Sequence, residues 1–142
     1  MRRKIPSLAV AAGIWALAFG GGVAFGEGPP ETVHVTYHVP EGKLDEFLAV
    51  LKQHFPACRK DGLVHAEPHL ILSGKEDGGK PVVIEILTWN DGDAPDSVPE
   101  HHPAVKKIWD GLNNLTEKRG GKPGIEIEEM DLVATPSRAP GR

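Results

Sequence analysis

Histidine is the residue type in this chain that is best suited to chemistry near neutral pH, because its ring titrates there and binds metal ions when neutral. The chain has seven histidines in 142 residues. His34 and His38 share one face of an alternating segment, and Glu85 could join them if it lies on the same face. Along a strand, their four-residue spacing spans roughly 13 Å, too far for both rings to bind one metal ion. The three residues are therefore candidates for a ligand pocket, and a polar patch in a subunit interface is the alternative.

A second histidine pair, His101 and His102, comes directly before an apolar periodic segment that begins at Pro103. Adjacent side chains seldom point to the same place, so we do not expect the pair to bind one metal ion. One of the two could cap the helix or face a pocket as a general base. A solvated loop histidine is the alternative interpretation.

The other reactive or aromatic side chains are expected to serve packing. Cys58 falls on an apolar helical stripe, and as the only cysteine it cannot form an intramolecular disulfide. Trp89 and Trp109 are expected in the core or in a pocket wall, which adds Trp89 to the ligand-pocket candidates. His54 follows a stripe residue, and we expect it to be peripheral.

No motif in the chain assigns a catalytic residue or a metal. The acidic run from Asn90 to Asp96 hints at calcium, but it lacks the alternating oxygen ligands and the closing Glu of a calcium loop. A Ser/His/Asp order, a phosphate-binding glycine loop, a paired-cysteine motif and a haem-attachment motif are all missing from the sequence. We therefore predict no metal site.

Composition places the chain among ordinary globular proteins. Charged residues make up 25% and hydrophobic residues 39%, and the net charge is −4. A nucleic-acid-binding protein would usually show a basic patch or stripe, so nucleic acid is not an expected partner.

The N-terminal segment has the three parts of a secretory signal peptide. Arg2, Arg3 and Lys4 precede an apolar stretch from Leu8 to Phe19, and small residues end at Gly26. The apolar stretch is shorter than the roughly 20 residues that span a bilayer. We predict a cleaved signal peptide over residues 1–26 and a periplasmic or secreted protein, with no membrane association after cleavage. Retention of the segment as an N-terminal anchor is the alternative.

Hydrophobic periodicity and turn-forming residues divide the rest of the chain into six predicted helices and strands. Strict alternation predicts a strand at Glu31–Val39. Apolar and β-branched segments between turn residues predict further strands at His69–Ser73, Pro81–Trp89 and Ile125–Val133. Apolar stripes at helical spacing predict helices from Lys43 to about Arg59, ended by Pro56 or by Asp61-Gly62, and from Pro103 to Arg119. The segment from Asn90 to Pro99 is predicted as a loop, and residues 134–142 as a flexible tail.

This order is the β-α-β-β-α-β arrangement of an α+β, ferredoxin-like domain over residues 27–133, with a four-stranded antiparallel sheet. The third predicted strand carries large apolar groups on both faces, Ile84 and Ile86 on one and Leu87 and Trp89 on the other. Two helices cover one face of such a sheet, so the second face needs another cover. We expect the same face of a second copy, giving a homodimer.

The topology, the Trp that ends the third strand and the histidines before the second helix together resemble the antibiotic biosynthesis monooxygenase-like, dimeric α/β-barrel superfamily. The matching stretches are residues 33–51 and 86–112, which include Trp89 and His101 or His102. The resemblance implies a homodimeric barrel with helices outside and a pocket of variable chemistry. Its members include cofactor-independent oxygenases and haem-degrading enzymes. The first strand here has His34, Thr36 and His38 where the haem-degrading branch has an Asn.

Three functions are consistent with these features. The first is small-molecule binding in a pocket near the sheet and the second helix, with no cofactor required. The second is a monooxygenase-like enzyme, either cofactor-independent or with haem as the cofactor. The third is a structural or interaction domain without catalytic activity.

Overall fold

The structure, a computed structural model, describes residues 28–134. The predicted signal peptide and all but the first residue of the predicted tail lie outside these residues. The described elements, in chain order, are β1 (Glu31–His38), α1 (Leu44–Lys60), β2 (Leu70–Lys75), β3 (Pro81–Trp89), α2 (Ala94–His101), α3 (Pro103–Leu115), β4 (Lys118–Arg119), β5 (Lys122–Pro123) and β6 (Ile125–Met130).

The main sheet is four-stranded and antiparallel, with the order β2-β3-β1-β6. β1 lies in the middle and pairs with β3 and β6, so that Val35 stands opposite Glu85 on one side and Ile127 on the other. The helices lie against one face. This arrangement confirms the predicted α+β, ferredoxin-like fold and its four-stranded antiparallel sheet.

α1 begins and ends where charge and turn residues favour it. Asp45 and Glu46 lie in its first turn and Arg59 and Lys60 in its last, each complementing the helix dipole. Gly62 follows with φ of +70°, a backbone conformation that glycine adopts without strain. Pro56 does not end the helix, and it lies on the exposed side of α1.

Three segments differ from the sequence-based prediction, and the smallest difference is in the last strand, which ends at Met130 and not at Val133. Part of the predicted loop between Asn90 and Pro99 forms α2, which buries Ala94 and Val98 one helical turn apart. The Asp91 side chain accepts a hydrogen bond from the Asp93 backbone at 2.8 Å, which shapes the turn that leads into this helix.

The third difference is at the end of α3, which stops at Leu115 instead of continuing to Arg119. Thr116 is extended, and the Glu117 backbone donates a hydrogen bond to the His38 carbonyl at 2.7 Å. This bond to the end of β1 turns the chain away from the helix. The short β4–β5 hairpin, which was not predicted, follows.

The hydrophobic core lies between the sheet and the helices. It includes Val83, Leu87 and Trp89 from β3, and Phe47 and Leu51 from α1. The opposite, helix-free face of the sheet is here called the open face. Its apolar members lie on β2, β3 and the end of β6: Leu70, Leu72, Val82, Ile84, Ile86 and Met130. Leu70 is 47% exposed and Leu72 is 52% exposed.

Between residues 28 and 134, none of the helices combines the length and the apolar character that a membrane crossing requires.

Candidate functional site

Glu85 is a carboxylate in the middle of the core. It is the central residue of β3, and its side chain is 0% exposed. Side chains alternate along a strand, so Glu85 shares the helix-covered face with Val83 and Leu87. His34 and His38 lie on the open face. The structure therefore does not bring Glu85 together with these two histidines.

Three side chains, one on β1, one on α1 and one directly before β2, donate hydrogen bonds to Glu85. On Oε1 it accepts one from Nδ1 of His54 at 2.9 Å and one from the hydroxyl of Tyr37 at 3.3 Å. On Oε2 it accepts one from Nε2 of His69 at 3.2 Å. A buried carboxylate is tolerated only with such partners. We call Glu85, Tyr37, His54, His69 and Trp109 the Glu85 network.

His54, on α1, forms hydrogen bonds with both the sheet and α3. Its ring is buried between Glu85 on β3 and Trp109 on α3, and Nε1 of Trp109 donates a hydrogen bond to Nε2 of His54 at 2.9 Å. The expectation that His54 is peripheral was wrong. The 4, 3, 4 spacing of the buried residues of α1 would have indicated it: Phe47, Leu51, His54 and Cys58.

His69 connects the Glu85 network to solvent. It comes directly before β2, and its side chain is 22% exposed. Its ring is stacked on that of Phe55, with centroids 3.7 Å apart and an interplanar angle of 5°. The stack and the bond to Glu85 together fix the orientation of the ring. No sequence feature singled out His69, since its partners come from distant parts of the chain.

Electrostatics in the Glu85 network favour an ionised carboxylate. Burial raises the pKa of Glu85, but His54 and His69 lower it further, to about 2. Burial and the Glu85 charge together raise the pKa of Tyr37 well above its ordinary value, so the phenol stays protonated and remains a donor. The network therefore holds one full negative charge on Glu85 inside the core.

Trp89 lies beside this network, in agreement with its prediction as a core or pocket-wall residue. Its ring meets Trp109 edge to face, with centroids 6.3 Å apart, and lies 6.4 Å from His54. Cys58 is fully buried as expected. Tyr37 packs on Phe47 as a core residue, and its hydroxyl adds a polar contact that the alternation did not indicate.

His34 and His38 form contacts with carboxylates on the polar half of the open face. His38 is buried, with Nδ1 3.1 Å from Glu76 and Nε2 3.2 Å from Glu126. His34 lies 3.6 Å from Glu128 on the neighbouring strand. The two histidines thus contact different carboxylates, which is the arrangement expected of a polar patch.

His101 and His102 lie at the junction of α2 and α3, away from Glu85. Nδ1 of His102 donates a hydrogen bond to Asp61 at 2.9 Å, and its Nε2 is buried without a hydrogen-bond partner. The side chain of His101 is 38% exposed beside Glu100. A haem iron needs a ring nitrogen that opens onto a cavity. Nε2 of His102 is enclosed by protein atoms, so His102 does not fit a haem.

The acidic residues after Trp89 do not come together as a calcium site. Asp91 is buried and caps the turn before α2, whereas Asp93 and Asp96 are exposed. Within the described range 28–134, no group of three or more His, Cys, Asp or Glu side chains is arranged to hold a metal ion.

Comparison with known proteins identifies the fold. No protein-family model matches the chain, and no curated protein matches it. Among solved structures, SnoaB, a cofactor-independent oxygenase from Streptomyces nogalater, is 17% identical with a TM-score of 0.54, over 78% of this chain and 99% of SnoaB.

Two further structures agree at the same level. Proposed antibiotic biosynthesis monooxygenases from Bordetella bronchiseptica and Chloroflexus aurantiacus are each 12% identical with TM-scores of 0.51. The first alignment covers 73% of this chain and 99% of the relative, and the second covers 76% and 97%. At these identities the likeness establishes a shared fold.

Proposed function

We propose that this chain, whose fold is that of the antibiotic biosynthesis monooxygenase-like proteins, binds a small, weakly acidic organic molecule beside His69 and takes a proton from it. The observation that carries the proposal is the fully buried carboxylate of Glu85, which bonds His69 at the edge of the core. The reaction class that we propose is oxygenation without a cofactor.

His69 has the position of a general base. Its Nε2 donates to Glu85, so the neutral ring keeps its lone pair on Nδ1. A carboxylate that fixes the tautomer of a partly exposed histidine is the recurring design of a base in enzymes. His54 cannot take this role in the same arrangement, because both of its ring nitrogens are bonded within the core.

Removal of a proton is the activation that such an oxygenation needs. A substrate with an activated methylene group loses a proton to the base, and the resulting carbanion supplies the electrons that reduce dioxygen. The balance is R₂CH₂ + O₂ → R₂C=O + H₂O, with the substrate as the reductant and dioxygen as the oxidant. SnoaB, which shares the fold, is a cofactor-independent oxygenase, and this supports the choice of class.

Replacing His69 tests the proposal. We expect His69→Gln to lower the rate of oxygen uptake by roughly 10²–10⁴-fold, the usual contribution of a general base. The measurement is oxygen consumption by the protein in EDTA, with a panel of aromatic ketones that carry an activated methylene group. His65→Gln is the matched control, because His65 is an exposed histidine on the same connection.

Two results would contradict this function. One is wild-type protein that consumes no oxygen with any member of the panel and shows no thermal shift with any of them. The other is a His69→Gln variant as active as the His65→Gln variant. The first result would favour a structural or interaction domain.

The same proposal includes export and self-association. The signal-like N-terminus supports a periplasmic or secreted location, which N-terminal sequencing of the protein from the culture medium or periplasm would test.

The apolar half of the open face supports a homodimer, since Leu70 and Leu72 are about half exposed. We expect a dimer at micromolar concentration in sedimentation and a monomer for Leu72→Asp. A monomeric wild-type protein would overturn this part.

A further inference from the structure

Nε2 of His54 receives a hydrogen bond from a group that can only donate. The indole Nε1 of Trp109 lies 2.9 Å from it, and an indole N–H has no acceptor function. Nε2 must therefore offer a lone pair. The single proton of the ring then lies on Nδ1, which donates to Glu85 at 2.9 Å. The geometry selects one tautomer of a neutral imidazole.

The groups around His54 have opposite effects on whether Nε2 takes up a second proton. Burial lowers the pKa of His54, whereas the Glu85 carboxylate and the neighbouring Cys58 raise it, to about 10. These groups favour a second proton on Nε2. That proton would point at the N–H of Trp109, so that two donors would face each other in the core, where neither finds water. The indole and the second proton therefore compete for the same lone pair.

We propose that Trp109 is a positioning residue that holds His54 in its neutral, Nδ1-protonated form and so leaves a full negative charge on Glu85 for His69. An imidazolium at position 54 would form a neutral pair with Glu85 and reduce the attraction of the carboxylate for the His69 N–H. The proposal goes beyond the proposed function, and only its activity readout rests on that function.

The first test uses the wild-type protein. Nitrogen-15 chemical shifts of the His54 ring distinguish a nitrogen with a lone pair from a protonated one. At pH 7 we expect a lone pair on Nε2 and a proton on Nδ1. Two protonated nitrogens at pH 7 would overturn the proposal, whatever the catalytic activity of the protein.

The second test removes the indole N–H and little else. Site-specific replacement of Trp109 by 3-benzothienylalanine keeps the bicyclic ring and puts sulfur in place of N–H. We expect His54 to take up a second proton at pH 7, which the Glu85 carboxylate and Cys58 favour. The same replacement of Trp89 is the matched control and should leave the His54 shifts unchanged. A neutral His54 in the Trp109 variant at pH 7 would overturn the proposal.

The activity readout separates this inference from the proposed function. We expect the Trp109 replacement to lower kcat for oxygen uptake about tenfold with KM unchanged, since the changed charge acts on proton transfer and not on binding. An altered KM with unchanged kcat would contradict it. A wild-type protein with the expected His54 tautomer and no oxygen uptake would overturn the proposed function and support the role of Trp109.

Discussion

Replacing Glu85 by alanine is expected to lower the free energy of unfolding by about 3–5 kcal/mol, the range observed when one partner of a buried charged pair is removed. Glu85 is completely buried, and it is the acceptor for His54, Tyr37 and His69. Without it, the His54 and Tyr37 donors in the core lose their carboxylate acceptor. A globular domain has only about 5–15 kcal/mol in total, so the change should be large.

Urea unfolding at pH 7, followed by circular dichroism, measures this loss. Glu41→Ala is the control, because Glu41 is exposed and its replacement should change stability by less than about 0.5 kcal/mol. Glu85→Gln should fall between the two, since the amide keeps one acceptor oxygen of the same shape. A Glu85→Ala variant within about 1 kcal/mol of wild type would mean that the network adds little to stability.

Acid is expected to weaken the fold through the same carboxylate. The pKa of Glu85 lies at about 2 in the folded protein, against an ordinary value of 4.5. A lowered pKa means that the folded state prefers the ionised form, so the stabilisation is complete above about pH 5 and is lost as the pH falls towards 2.

The Glu85→Gln variant isolates this contribution from that of other carboxylates. Gln has no proton to gain, so its unfolding free energy should fall less steeply than that of wild type between pH 5 and pH 2. Urea unfolding at several pH values in this range gives both curves. Parallel curves for the two proteins would show that Glu85 does not titrate in the way that its surroundings imply.

The sequence was sufficient for the fold because its local signals agree with the tertiary structure. Strict alternation in residues 31–39 predicts β1, and the β-branched, apolar run in residues 81–89 predicts β3; both form as expected. The helix that starts at Pro103 also forms where its apolar stripe predicts it. Hydrophobic periodicity is a local property, and each of these segments buries one face in the way that its period requires. The sequence-based prediction missed α2, the end of α3 and the β4–β5 hairpin.

The residues that meet in the candidate site could not be predicted from local sequence patterns. Glu85 and Trp89 were named from the sequence, but Glu85 was grouped with His34 and His38, which lie on the other face of the sheet. The actual partners, His54 and His69, are separated from Glu85 by 31 and 16 residues. Their meeting depends on how α1 crosses the sheet and how the chain enters β2.

The sequence by itself determined the order of the four sheet strands and of α1 and α3, the antiparallel sheet and the apolar character of both faces of β3, because period and side-chain type fix these locally. Only the tertiary structure decided which face the helices cover. That choice puts Glu85 in the core and His34 and His38 on the open face. A buried carboxylate must find donors wherever the packing supplies them. For this reason the packing of α1, α3 and the start of β2 against β3, and no local motif, defines the site.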